Sequence, residues 1–128
     1  MTTIVLDIGG TAIKSGLYID GTLTDLKETP TEASRGGAHV TARVKEIIAT
    51  YQQHTPFERI GISTAGQVDP VRGQIIYANE NIPGYTGTKL KEILEQEFHV
   101  PVAVENDVNA AAIGESVFGA GKNRSDFV

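Results

Sequence analysis

Residues 4–19 leave this chain few folds to choose from. Ile4-Val5-Leu6-Asp7-Ile8 is a short, β-branched apolar run that stops at Gly9-Gly10, the pattern of a buried strand closed by a turn. Ile13, Ser15, Leu17 and Ile19 then alternate with Lys14, Gly16, Tyr18 and Asp20. That period of two sends the apolar set to one sheet face and Lys14 to the other. Asp20-Gly21 reads as a two-residue hairpin turn, because both residues accept a positive φ. Thr22–Thr29, rich in threonine and charge and ended by Pro30, reads as an edge strand. Three antiparallel strands are therefore expected at the N-terminus.

Beyond a loop at 31–37 the period changes. Val40, Val44, Ile47, Ile48 and Tyr51 recur at helical spacing, predicting an amphipathic helix over about 38–53, with Pro56 past its end. Phe57–Ser63 reads as a strand, Thr64-Ala65-Gly66 as a turn, and Gln74–Tyr77 as a small strand inside a Pro- and Gly-containing stretch. Leu90, Ile93, Leu94 and Phe98 define a second helix, Val102–Glu105 a short strand, and Ala110 to Phe118 a third helix stopped by Gly119-Ala120-Gly121. Ser125–Val128 reads as the start of another strand in a chain that continues. The order β-β-β-α-β-(β)-α-β-α predicts an α/β fold, a mixed sheet with helices on its faces. At 128 residues the chain can bury one core but not two. With no cysteine, a disulfide framework and a thiolate metal site are excluded, and a cytoplasmic location is the default. The net charge of −5 argues against a nucleic-acid or anionic-membrane surface. Met-Thr-Thr leads straight into the first strand, so no signal peptide is read, and no apolar stretch approaches a membrane span.

Three stretches could carry chemistry. In Asp7-Ile8-Gly9-Gly10-Thr11-Ala12-Ile13-Lys14, two glycines let backbone N–H groups face an anion, Thr11 adds a hydroxyl and Lys14 a positive charge. Asp7 is ill suited to phosphate but suits a hydrated Mg2+. The same residues fit a plain hairpin with Asp7 capping the turn, and they match neither G-x-G-x-x-G nor a Walker A loop. In Glu105-Asn106-Asp107-Val108-Asn109-Ala110, Asn106 can cap the third helix and Asp107 sits in its first turn, where the helix dipole favours a carboxylate able to orient a substrate hydroxyl. Taken alone, these residues are better explained by a doubly capped helix without a ligand. Gly61-Ile62-Ser63-Thr64-Ala65-Gly66 superficially matches a nucleophile elbow, but no helix follows Ser63, which argues against a serine hydrolase. Its small residues fit either a ligand approaching the backbone or an ordinary polar turn. His39, His54 and His99 are isolated and read as surface residues; Lys89, Lys91, Glu92, Glu95 and Glu97 form a solvated helix face; Tyr77 and Tyr85 pack the loop.

The stretches at 7–14, 61–69 (Gly-Ile-Ser-Thr-Ala-Gly-Gln-Val-Asp), 81–85 (Asn-Ile-Pro-Gly-Tyr) and 105–111 (Glu-Asn-Asp-Val-Asn-Ala-Ala) occur in that order. Together they resemble the ROK family of sugar kinases and sugar-responsive repressors, within the actin/hexokinase-like ATPase superfamily, from Ile4 to about Gly121. The first stretch alone is shared across the superfamily; the ordered set is more specific. The resemblance implies a ribonuclease-H-like N-terminal lobe over residues 1–121, with 122–128 beginning a second lobe, and ATP and a hexose bound between the lobes. By position it implies Gly9, Gly10, Thr11 and Lys14 at the nucleotide phosphates and Asp7 as the acid near Mg2+. It implies Asp107 as the base that takes the proton of a sugar hydroxyl, commonly the 6-OH, with Asn106, Gly66 and Asn81 around the sugar. Ala65 departs from the glycine or proline common at its position. The family's second glycine-rich phosphate motif and its His/Cys zinc motif belong to the following lobe. Retention of Asp107, and no helix-turn-helix ahead of Ile4, weigh toward a kinase over the effector-binding domain of a sugar-responsive transcriptional regulator. The 128 residues alone are expected to be inactive, and their unfilled cleft face offers a surface for a homodimer.

Overall fold

A computed structural model describes residues 1–64, 67–77 and 82–106. Three strands open the chain: β1 (Thr2–Ile8), β2 (Ala12–Ile19) and β3 (Thr22–Pro30), paired antiparallel in that order. A single 3₁₀ turn, Ala33–Arg35, leads into helix α1 (Gly37–Gln52). Then come β4 (Arg59–Thr64), β5 (Gln67–Asp69), β6 (Gln74–Tyr77), α2 (Leu90–Phe98) and β7 (Val102–Asn106). The main sheet has five strands in the order β3-β2-β1-β4-β7, with β4 and β7 parallel to β1; β5 and β6 make a separate two-stranded ribbon.

The period of two predicted for β2 is realised. Ile13, Ser15 and Leu17 are buried on the core face, while Lys14 is exposed on the other. Ile4, Leu6 and Ile8 of β1, Ile60 and Ile62 of β4, and Val102 and Val104 of β7 join them. Onto this face α1 lays Val40, Val44, Ile48 and Tyr51, and α2 lays Leu90 and Leu94, all 0 % exposed. Each such side chain contributes about 1.5–3 kcal/mol of burial. Both described helices thus cover one face, and the predicted third helix lies outside the described residues.

The core also holds a polar tie. Tyr51, wholly buried, donates its hydroxyl to the Asp25 carbonyl at 2.8 Å and lies 3.1 Å from the Ser15 hydroxyl. Burial pushes its phenol above the ordinary value, against the opposing pull of the Ser15 contact, so it stays a neutral donor. Asp25 takes a left-handed conformation (φ 51) where the β2–β3 register slips, which turns that carbonyl toward α1.

Most boundaries differ from the sequence reading by a residue or two. β4 begins at Arg59 and not Phe57, whose ring instead meets Phe98 edge-on at 6.5 Å. β5 was expected only as part of a turn-rich stretch; at 3 residues it is too short to carry a period. β3 is an edge strand, as read. His99 ends α2 at φ 58, its N–H donating to the Glu95 carbonyl, so this exposed histidine serves as a left-handed helix stop. Among the described residues no helix is long and apolar enough to cross a membrane.

Candidate functional site

β1, β4 and β7 run parallel, so their carboxyl ends share one edge: Ile8, Thr64 and Asn106 stand in a single register. With strands about 4.8 Å apart, the backbone at Asn106 is roughly 10 Å from Ile8, the residue before the Gly9-Gly10 turn. Carboxyl ends of parallel strands are where open α/β sheets receive ligands. One residue earlier, Lys14, Asp7, Ser63 and Glu105 are aligned across β2, β1, β4 and β7, on the face opposite the core. Residues distant in sequence thus form one polar row.

Asp7 does not cap the turn. Its Oδ1 accepts a hydrogen bond from the Ser63 hydroxyl at 2.8 Å, and its Oδ2 has no hydrogen-bond partner among the described residues. The turn closes by other means: Gly9 N–H donates to the Ala12 carbonyl at 3.0 Å, and Thr31 bonds to two further turn carbonyls. Gly10 and Thr11 are exposed, and their N–H groups find no partner among the described residues. A Cβ on Gly9 would stand 3.0 Å from the Ala12 oxygen, whereas one on Gly10 would meet nothing within 4 Å. A side chain at Gly9 would crowd the turn's own carbonyl, while the space before Gly10 is open. Lys14 is exposed and has no carboxylate within 4.0 Å among the described residues. Two exposed N–H groups at a turn, with an exposed ammonium three residues along β2, are the groups an anion site would use.

The residues also suit a magnesium ion. Mg2+ keeps several waters and takes one or two carboxylates plus substrate phosphates, so a single half-engaged carboxylate such as Asp7 meets its needs. Glu105 is the second acid of the row, and its Oε2 is buried without a hydrogen-bond partner. Among the described residues no group of three or more His, Cys, Asp or Glu is arranged to hold a metal by itself.

Gly66, Asn81 and Asp107 lie outside the described residues, and Asn106 ends β7. The segment that follows Asn81 is firmly seated. Ile82 and Tyr85 are buried, and the Tyr85 hydroxyl lies 2.7 Å from that of Thr64 at the end of β4. Gly37 N–H, at the start of α1, donates to the Pro83 carbonyl at 2.7 Å, and a Cβ on Gly37 would come within 2.7 Å of the Tyr85 Cα. Tyr85 packs the loop, as expected.

His39 lies at the surface, as read, but it is not isolated. Its Nε2 lies 3.0 Å from Glu32 Oε1, which also takes Arg43 and has Arg35 at 3.7 Å. These contacts, led by the His39 hydrogen bond, hold the Glu32 carboxyl below its ordinary range. Glu32 itself stands at φ 53 just before the 3₁₀ turn, so the cluster fastens a strained backbone position to α1. On the helix face read as solvated, Lys91 and Glu95 pair at 3.4 Å, and Glu95 accepts the Val102 N–H, tying α2 to β7.

The sequence reading assigned no role to Thr31 or to the Ser63 hydroxyl. Only the parallel register puts Ser63 beside Asp7, and no local pattern marks Thr31.

The ROK family model matches residues 3–128. Across 128 residues the chain is 33% identical to a beta-glucoside kinase of Listeria monocytogenes, covering 100% of this chain and 42% of the relative. Across 124 residues it is 32% identical to a xylose repressor of Bacillus spizizenii, covering 87% and 31%. A ROK family glucokinase from Streptomyces griseus, solved with glucose and AMPPNP, superposes with a TM-score of 0.80 at 33% identity over 96% of this chain and 38% of the neighbour. The chain thus spans about two fifths, or less, of the relatives it matches, and the fold is that of ROK kinases with the actin-like ATPase architecture. On the match from residue 3 to residue 128, the chain belongs to the ROK family.

Proposed function

We propose that residues 1–121 form the N-terminal lobe of an ATP-dependent hexose kinase, with 122–128 leading into a second lobe that completes both sites. The observation that carries this is the shared edge: the free N–H groups of Gly10 and Thr11 and the backbone at Asn106 stand at the ends of strands only two apart in the sheet. A phosphate donor on the turn and an acceptor hydroxyl beside residue 107 would then meet without either crossing the sheet.

Catalysis in this reading is positioning plus charge stabilisation. The Gly10 and Thr11 N–H groups, with the Lys14 ammonium, hold the terminal phosphates of ATP. Asn106, Gly66 and Asn81 hold the sugar, and Asp107 accepts the proton of its hydroxyl as the oxygen attacks the γ-phosphorus and ADP leaves. Glucose, a β-glucoside or a related hexose is the acceptor, with the 6-OH as nucleophile. Mg2+ held through Asp7 would neutralise phosphate charge. The kinase names among the relatives, and the glucose and AMPPNP of the Streptomyces griseus structure, support this assignment. ATP as donor goes with a cytoplasmic place of action.

The test is sugar-dependent ADP release by the full-length protein over a panel of hexoses. Release with glucose or a glucoside supports the reading. Sugar binding without ADP release, joined to operator-DNA binding, assigns the chain to the repressor branch instead.

A further inference from the structure

We propose that Thr31 is a positioning residue for the anion-binding turn and acts by locking the peptide between Gly9 and Gly10. The proposal rests on the phosphate role given to Gly10 and Thr11 above. Thr31 is 0 % exposed, and both its hydrogen-bond donors are spent on this one turn. Its N–H donates to the Thr11 carbonyl at 3.0 Å, and its hydroxyl donates to the Gly9 carbonyl at 2.8 Å.

The second bond has a directional consequence. The Gly9 carbonyl and the Gly10 N–H belong to one planar trans peptide, so they point to opposite sides. Holding the carbonyl toward buried Thr31 aims the N–H away from the protein body, where Gly10 is exposed and a Cβ would meet nothing within 4 Å. A peptide flanked by two glycines has no Cβ to oppose rotation about its neighbouring bonds, so it is the place in the turn most prone to flip. A flipped peptide would present a carbonyl to the phosphates in place of a donor. The Thr31 hydroxyl is the group that holds it against that flip. Thr31 touches no ligand itself.

The experiment uses the full-length protein with Thr31→Val, which keeps the shape and loses the hydroxyl, and Thr31→Ser, which keeps the hydroxyl. The probes are AMPPNP, which carries the full phosphate chain, and AMP, which lacks its far end. Thr31→Val is expected to weaken AMPPNP about tenfold to a hundredfold, the range for one hydrogen bond to a charged group, while AMP binding changes less than about twofold. Thr31→Ser should restore AMPPNP affinity. Unchanged AMPPNP affinity in Thr31→Val, or equal weakening of AMPPNP and AMP, overturns the proposal. Should Thr31→Val not fold, the wild-type amide spectrum decides: the Gly10 N–H must exchange freely without nucleotide and shift on AMPPNP addition, and a Gly10 signal indifferent to AMPPNP overturns the assignment. A wild-type protein that binds no AMPPNP sinks the kinase reading itself, which separates that failure from one confined to Thr31.

Discussion

Ser63 donates its hydroxyl to Oδ1 of Asp7 at 2.8 Å, joining residues 56 positions apart at the ends of two parallel strands. One carboxylate oxygen is thereby engaged and the other has no hydrogen-bond partner among the described residues, in the middle of a row that runs from Lys14 to Glu105. Ser63→Ala should cost about 1.5–3 kcal/mol in urea unfolding, the range for a hydrogen bond to a charged group. In the full-length protein, under the kinase reading proposed above, it should raise the KM for Mg-ATP more than that for sugar. An equal rise in both would assign Ser63 to the fold alone.

Asp107→Asn keeps the size and removes the base of the proposed mechanism. Turnover of the full-length protein should fall by about 10²–10⁴-fold while sugar affinity changes little. Steady-state kinetics with equilibrium sugar binding checks this, and unchanged turnover removes Asp107 from the mechanism.

Two glycines at the site should respond in opposite ways. Gly10 is not among the positive-φ residues and a Cβ there meets nothing, so Gly10→Ala should change stability by less than about 0.5 kcal/mol. The added methyl would stand where phosphate is expected, weakening AMPPNP about tenfold, equivalent to 1.4 kcal/mol. On Gly37 the Cβ would lie 2.7 Å from the Tyr85 Cα and 2.8 Å from the Gly84 oxygen, both backbone atoms that cannot swing aside. Gly37→Ala should therefore destabilise by about 1–3 kcal/mol. Thermal unfolding and AMPPNP titration of both variants separate the two cases.

Glu32 makes stability depend on pH with a definite sign. Its carboxyl is held below the ordinary 4.5 in the folded chain, first by the His39 hydrogen bond and then by Arg43. The unfolded chain therefore binds a proton at a pH where the folded chain does not. The stabilisation from these contacts is fully present above 4.5 and is lost as pH falls through the lowered folded value. Glu32→Gln should flatten the acid limb of a stability–pH curve measured by urea unfolding, and an unaltered limb would rule the cluster out as its source.

The strands and helices were legible because burial imposes a period. Ile13, Ser15 and Leu17 could face the core only together, and Val40, Val44, Ile48 and Tyr51 form one stripe only on a helix. β5 escaped because Gln67–Asp69 is too short to repeat anything. The Gly9-Gly10 turn was legible as an anion cradle or a plain hairpin, and local chemistry could not choose between them. The Asp7 carboxylate could be read as a turn cap, and it is bonded to Ser63 instead.

Alternation, helical spacing and glycine placement act over a few residues, so they determined which segments extend, which coil and where the chain reverses. Which carboxylate meets which hydroxyl was decided by tertiary structure. Setting β4 parallel to β1 brings Ser63 level with Asp7, and the end of β3 delivers Thr31 to the Gly9 carbonyl. The physical reason is that register is a property of two paired strands together, and a hydrogen bond of under 3 Å exists only once both have been laid side by side.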